Sequence, residues 1–187
     1  MKLLSLTALI GTAQWMTAAG LFAQIVTIDF DTNGGTGVSD GALVLLESGS
    51  GPIDDFESDR FDGLTVASFE IQNISGFGTV TVTATALSSS LNVNTSGLQD
   101  GGSGYNLAGE GTSFVFSTDV IIESLDFSSF TVAGGDAVEL IASNVSIGTF
   151  TDGDVSGSID FSNTNPAIVT TYLPAGDAFT IAFSAGS

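Results

Sequence analysis

The stretches LTVASFEIQNI at 64–74 and GTVTVTATAL at 78–87 decide the fold class of this chain. In the second stretch, Val80 and Val82 alternate with threonine, so one face of an extended strand can be buried while the other stays hydrated. The connection at 75–76, a Ser-Gly dipeptide, is typical of a hairpin. Together these features predict an antiparallel pair of β-strands.

The same two-residue period continues through most of the chain, and no window keeps the spacing of an amphipathic helix. Many short strands separated by Gly-, Asn-, Asp- and Ser-rich turns favour an antiparallel sandwich or barrel. We therefore predict an all-β, jelly-roll-like antiparallel β-sandwich of about 10–12 strands. The stretch at 96–113 is expected to be a long loop that crosses over within this fold. The predicted strands are 25–30, 42–47, 64–74, 78–87, 91–95, 112–118, 120–127, 136–142, 145–151, 156–161, 167–172 and 178–184.

The first 23 residues have the pattern of a secretory signal peptide. Lys2 supplies the positive charge, an apolar stretch follows at 3–13, and small residues cluster before Ala23. The apolar stretch is too short to span a bilayer. We expect cleavage after Ala23, with Gly20 as the alternative site, which leaves 24–187 as one domain without a membrane span. The predicted location is secreted or on the cell surface.

The charge of the chain limits its partners. It has 21 acidic residues, two basic residues and a net charge of −19, and after Ala23 the only basic residue is Arg60. Binding to nucleic acid or to anionic lipid requires Lys or Arg against phosphate, so neither partner is expected. The same surface attracts cations and keeps a β-rich protein soluble.

The absence of several residue types excludes most catalytic chemistry. The sequence contains no histidine and no cysteine, and its one lysine lies in the predicted signal peptide. Serine triads, cysteine nucleophiles, Schiff bases and Cys/His zinc sites are therefore excluded. Cleavage of a glycan by a pair of carboxylates remains open as an alternative, a hydrolase or lyase. No pair of acids stands out in the sequence, and we predict that the protein is not an enzyme.

The segment DFDTNGGTGVSD at 29–40 is the candidate metal site. Asp29, Asp31, Asn33 and Asp40 fall at positions 1, 3, 5 and 12 of a calcium-binding loop, in which hard oxygen ligands converge on one ion. The last position holds Asp instead of Glu, and the preceding element is a strand. A turn stabilised by side-chain to backbone hydrogen bonds is the other interpretation, and we favour it. Calcium is the one cofactor predicted.

Tyr105 is the candidate ligand-binding residue. The chain has two tyrosines, and its single tryptophan, Trp15, lies in the predicted signal peptide. Tyr105 lies in the predicted long loop, where an aromatic ring could stack on a sugar. A loop residue packed against the domain is an equally good interpretation. The phenylalanines instead alternate with polar residues inside the strands, which predicts core packing.

The stretch SGLQDGGSGYNLAGEGTSFVFSTDVIIESLDF at 96–127 resembles the body domain of bacterial secreted proteins with a Pro-Glu-Pro C-terminal sorting signal (PEP-CTERM proteins). Gly109 and Glu110 precede an alternating strand with Phe114 and Phe116, and the stretch closes on a Leu-Asp-Phe tripeptide. AGDAFTIAF at 175–183 is similar to the closing strand of such domains. The sorting signal itself does not occur in this sequence. Loss of the C-terminal end of a longer chain would account for this.

This resemblance implies an uncharacterised exported protein associated with extracellular polysaccharide and biofilm matrix, and it implies no catalytic residue. The functional prediction is a non-catalytic structural or matrix protein of a bacterium, stabilised by calcium if the 29–40 segment binds it. A carbohydrate-binding module that recognises extracellular polysaccharide is the alternative from another class.

Overall fold

The computed structural model describes residues 2–10, 24–30, 38–39, 45–47, 52–53, 63–74, 78–94, 97–100, 108–128, 136–151, 158–160 and 171–185. These ranges contain strands, turns and bends but no helix, so none could span a membrane as a helix. The strands are β1 (Lys2–Ile10), β2 (Gln24–Asp29), β3 (Val38–Ser39), β4 (Leu45–Glu47), β5 (Pro52–Ile53), β6 (Val66–Ile74), β7 (Gly78–Ala86), β8 (Leu91–Asn94), β9 (Gly97–Asp100), β10 (Gly111–Phe116), β11 (Val120–Ser128), β12 (Asp136–Ala142), β13 (Val145–Thr151), β14 (Ser158–Asp160), β15 (Thr171–Leu173) and β16 (Ala178–Ala185).

The strands form two antiparallel sheets. Sheet A has the order β14-β11-β1-β2-β3, with β15 paired to β11 and with β9 paired to both β1 and β8. Sheet B has the order β13-β12-β16-β10-β7-β6-β4-β5. The predicted hairpin of 64–74 and 78–87 is the β6–β7 pair, in which Val66 lies opposite Thr85 and Ile71 opposite Val80. The all-β, antiparallel prediction is therefore confirmed.

Buried apolar side chains from both sheets form one hydrophobic cluster. In sheet B the buried residues follow the two-residue period, as Val80, Val82 and Ala84 on β7 show. Phe30, directly after β2 of sheet A, contacts Phe114 on β10 of sheet B with ring centroids 5.9 Å apart. Burial of this many large side chains, each contributing about 1.5–3 kcal/mol, is the main favourable term for the fold. The fully buried residues with the largest side chains are Phe30, Phe69, Phe114, Phe116, Phe179, Leu6 and Ile28.

The predicted long loop at 96–113 is wrong in two places. Gly97–Asp100 forms β9, which pairs with β8 in a hairpin through Val93 opposite Leu98. The far end of the stretch belongs to β10, which begins at Gly111. The Gly-rich composition of the stretch hid a strand of only four residues, because LQ offers no alternation long enough to reveal it.

Lys2–Ile10, within the predicted signal peptide, forms a strand in this structure. β1 lies between β2 and β11, where Leu6 is fully buried and lies opposite Ile28 on one side and Leu125 on the other. The structure is that of the unprocessed chain, so cleavage after Ala23 stays a prediction. If cleavage occurs, the processed domain lacks the strand between β2 and β11.

Candidate functional site

The predicted calcium ligands lie almost entirely outside the described residues. Asp29 is the last residue of β2, and its backbone lies opposite Ser5 of β1. Asp31, Asn33 and Asp40 fall outside the described ranges. Within the described ranges no three acidic residues are close enough to hold a metal ion, but this leaves the 29–40 segment untested. The calcium site therefore stays a prediction.

Tyr105, the predicted ligand-binding residue, also falls outside the described ranges. The other tyrosine, Tyr172 on β15, is described and is 51% exposed. By contrast, every phenylalanine whose side chain the structure describes is buried. Among the described side chains, Tyr172 is thus the one aromatic ring that is exposed.

Asp100, the last residue of β9, is a fully buried carboxylate bound by three backbone N–H groups. The N–H of Ser89 donates to Oδ1 at 2.9 Å. The N–H groups of Ser88 and Gly111 donate to Oδ2 at 2.9 Å and 3.1 Å. Hydrogen bonds to a charged acceptor are stronger than neutral ones, and a buried carboxylate requires them. Asp100 thereby joins the end of β9 to the turn after β7 and to the start of β10.

Gly111 completes this cluster because no other residue fits its position. Its φ of 154° is rarely adopted by residues with a side chain. A Cβ added to Gly111 would collide with the carbonyl oxygen of Ile181 and lie 2.9 Å from Cδ1 of Leu87. The missing side chain lets β10 approach β16 closely while its N–H points at Asp100.

A second carboxylate cluster joins two turns at the surface. The Ala175 N–H donates to Oδ1 of Asp119 at 2.9 Å, and the Tyr172 hydroxyl donates to Oδ2 at 2.8 Å. The Ala175 bond first, and the Tyr172 bond second, lower the pKa of Asp119 from its ordinary value. The same Asp119 bond raises the pKa of Tyr172. Asp119 lies between β10 and β11, and Ala175 lies between β15 and β16, so the cluster ties together two connections from one sheet to the other.

The outward face of sheet B carries hydroxyl groups in adjacent strands. Ser68 Oγ and Thr83 Oγ1 form a hydrogen bond of 2.9 Å between β6 and β7. Thr180 Oγ1 donates to Ser113 Oγ at 3.1 Å between β16 and β10. All four side chains are half-buried. Their alternation with buried residues was readable in the sequence, most clearly in the TVTVTAT stretch of β7.

The sequence carried no signal for the two carboxylate clusters. Asp100 is followed by two glycines and resembles an ordinary turn residue, and its partners lie 11 or 12 residues away. Asp119 and Tyr172 are separated by 53 residues. Pairing over such separations depends on the strand order, which the two-residue period does not specify.

The chain matches no protein-family model, and comparison with curated proteins and with solved structures found no match for it.

Proposed function

We propose that this chain is an exported, non-catalytic structural protein of a bacterial cell surface or extracellular matrix, with residues 24–187 forming a jelly-roll-like β-sandwich. The observation that carries the proposal is the burial of all described phenylalanine side chains in a core that both sheets share. A protein that recognises or processes sugars through aromatic stacking needs such rings at its surface. Here they support the fold instead.

The sandwich arrangement is supported by the shared core. Ile28, Val120 and Leu125 come from sheet A, and Phe69 and Val82 come from sheet B, yet all belong to one buried cluster. Two sheets that bury one face each against the other are the usual architecture for such a core. The other face of sheet B is then left for solvent or for a partner.

The non-catalytic role is supported by the composition and by the described acidic groups. The chain has no histidine or cysteine for nucleophilic or general-base chemistry. Among the described residues, Asp100 and Asp119 both accept hydrogen bonds from backbone N–H groups. These bonds hold turns in place, which is a structural role.

A carbohydrate-binding module is the second candidate, favoured by the exposure of Tyr172. The ring is 51% exposed, and its hydroxyl is held by Asp119 at 2.8 Å. A fixed tyrosine next to a carboxylate can stack on a sugar ring and accept hydrogen bonds from its hydroxyls. Loss of glycan binding in a Tyr172→Ala variant would favour this candidate.

Export is the part of the proposal that can be tested first. The full chain with a C-terminal tag is produced in a bacterium, the cells are fractionated, and the N-terminus is determined by mass spectrometry. We expect the protein in the medium or at the cell surface, beginning at Gln24. A chain without residues 1–23 is the control and should stay in the cytoplasm. Recovery of the full chain from the cytoplasm, still beginning at Met1, would refute the proposal.

A further inference from the structure

β1 is the central strand of sheet A, and its removal with residues 1–23 would open a gap in that sheet. β1 pairs antiparallel with β11 on one side and with β2 on the other. Leu6 lies opposite Ile28 and Leu125, and all three are fully buried. Ile122 of β11, also opposite β1, is fully buried as well. We call strand groove the gap between β2 and β11, with Ile28, Ile122 and Leu125 along its sides.

An open strand groove exposes backbone groups and core side chains together. The N–H and C=O groups of β2 and β11 that now bond to β1 would lose their partners, and such groups are rarely left unpaired in folded proteins. The aliphatic side chains along the groove would also meet water. Either β2 and β11 close the groove by pairing with each other, or a strand from another chain fills it.

Both sides of the groove are fixed to sheet B, which opposes closure. β2 and β11 are two strand spacings apart, so pairing requires a shift of about 5 Å. Phe30, directly after β2, contacts Phe114 of β10 with ring centroids 5.9 Å apart. Close to the start of β11, the Ser117 N–H donates to the Thr81 carbonyl oxygen at 2.9 Å, and the Thr81 N–H donates to Ser117 Oγ at 2.8 Å. Closure would break contacts on one side or the other.

The strand register opposes closure through charge. β1 runs antiparallel to both neighbours, so β2 and β11 are parallel to each other. Asp29 of β2 and Asp126 of β11 both lie opposite Ser5. Closing the groove in this register would place the two acidic residues directly beside each other, where like charges are destabilising.

The same register describes the strand that fits the groove. β1 fills it with nine residues in extended conformation. A replacement strand needs an aliphatic residue at the position of Leu6, which lies in the core. A Lys or Arg at the position of Ser5 would have an acidic residue on each side, and cross-strand pairs of opposite charge are stabilising. Main-chain hydrogen bonds to both neighbours supply affinity, as in other cases of β-strand addition.

The charge of the protein favours a basic partner over a second copy of this chain. The part after Ala23 keeps all 21 acidic residues, and its only basic residue is Arg60. Two copies would therefore repel each other, whereas a basic chain is attracted. The strands of the described residues are all paired within the chain already, so a second copy offers no free strand among them.

We propose that, after removal of residues 1–23, the strand groove binds an extended aliphatic segment of a basic partner protein. The segment forms a strand antiparallel to both β2 and β11, with an aliphatic residue at the position of Leu6 and a Lys or Arg at the position of Ser5. This inference rests on the proposed function, which includes cleavage after Ala23, and adds the partner to it.

The test opens the groove in a folded full chain. A site for a sequence-specific protease is placed within residues 11–23, and the purified chain is cut between β1 and β2. A fluorescently labelled peptide of residues 2–10, KLLSLTALI, is added in excess, and its fluorescence anisotropy is measured. We expect a saturable rise with the cut protein, because the peptide replaces the severed segment. The uncut chain is the control and should give no rise, because its own β1 competes at a high effective concentration.

Variant peptides test the register and the charge while the protein stays the same. Leu6→Asp should weaken binding by about a hundredfold or more, because it buries a charge in the core. Ser5→Lys should strengthen binding by about two- to tenfold at low salt, and this gain should fall at high salt. Thr7→Lys is the matched control, since Thr7 lies opposite Thr27 and Ser124, which are uncharged. It should bind as the unaltered peptide does.

Three results would overturn the inference. A cut protein that stays monomeric and binds no peptide has closed its groove, and one that forms dimers instead has filled the groove with a second copy. Equal affinity of the Ser5→Lys and Thr7→Lys peptides would refute the preference for a basic partner. An equal rise with the uncut chain would show that the peptide binds elsewhere.

The protease cut makes this test independent of the export experiment. A chain that is exported and processed, but whose cut form binds no peptide, refutes the inference and leaves the structural role intact. A chain that stays in the cytoplasm refutes the proposed function whatever the cut protein binds.

Discussion

Replacing Asp100 by alanine would remove the buried carboxylate that joins three separate segments of the chain. Its two oxygens accept N–H groups from Ser88, Ser89 and Gly111, and the side chain is fully buried. Ser88 and Ser89 are exposed, so water can bond to their N–H groups once the carboxylate is gone. Gly111 is buried, and its N–H would be left without an acceptor.

The expected loss of stability follows from these three bonds. A hydrogen bond to a charged group contributes about 1.5–3 kcal/mol, and a donor that is left unsatisfied in the interior costs about 1–3 kcal/mol. The two bonds from exposed residues lie at the low end of this range because water replaces the acceptor. We therefore expect Asp100→Ala to lower the free energy of unfolding by about 3–5 kcal/mol, a large part of the roughly 5–15 kcal/mol of a typical domain.

Asp100→Asn should cost less but still be measurable. The amide keeps one acceptor, which can serve the two donors at the Oδ2 position, Ser88 and Gly111. Its NH₂ group must then face the Ser89 N–H, which is a donor itself. A loss of about 1–3 kcal/mol is expected, intermediate between the unaltered chain and the alanine variant.

Urea unfolding followed by far-ultraviolet circular dichroism measures these differences. Asp119→Ala is the matched control, since it removes the same charge and two hydrogen bonds at an exposed site. It should change the free energy of unfolding by no more than about 1 kcal/mol. If Asp100→Ala were as stable as this control, the carboxylate would not hold the three segments together, and the reasoning from burial would be refuted.

Three further predictions follow from the glycine, the surface cluster and the candidate metal site. Gly111→Ala should lower the free energy of unfolding in urea by about 2–4 kcal/mol, because the added Cβ collides with backbone atoms. Gly109→Ala, at a φ of 90° with open space around it, should lower it by only about 1–2 kcal/mol. Equal losses in the two variants would contradict this reasoning. Because folding lowers the pKa of Asp119, its stabilising contribution is present above the unfolded value of about 3.9 and is lost as pH falls through the folded value. Asp119→Asn should therefore lower the unfolding temperature by a few degrees near pH 6, and the difference should vanish in strong acid; a difference that persists there would exclude titration of Asp119 as its cause. If the 29–40 segment is a calcium loop, calcium should raise the unfolding temperature saturably relative to chelator at fixed ionic strength, and Asp31→Ala should abolish the rise. No rise, or an equal rise with magnesium or sodium, would show that the segment is a turn.

The sequence specified the strands better than it specified their arrangement. All twelve predicted strands overlap strands of the structure, because a two-residue alternation such as that of β7 is a strong local signal. Apart from β1, the strands that were missed are β3 and β5, of two residues each, and β9, of four. Alternation cannot reveal a strand of two residues such as β3. The order of the strands depends on long-range pairing that no local pattern encodes.

The residues of the candidate sites were predictable only where they share the periodicity of the strands. The threonines of β7 alternate with buried residues, so the hydroxyl-bearing face was visible in the sequence. Asp100 and Asp119 have no such pattern around them. Their roles arise because strands distant in sequence bring backbone N–H groups to one carboxylate, as Gly111 and Ala175 do. Residues of this kind are recognised only once the pairing is known.

Lys2–Ile10 shows why one local pattern can predict two outcomes. A signal peptide needs an apolar stretch after a positive charge, and a central strand needs apolar residues on the face that it buries. The sequence KLLSLTALI satisfies both, and Leu6 contributes to the buried core in the full chain. Export decides between them, because cleavage after Ala23 would separate β1 from β2 and β11. In a processed chain, the backbone N–H and C=O groups of β2 and β11 that now bond to β1 would lose their partners. These groups would need new partners, and β2 and β11 could supply them by pairing with each other.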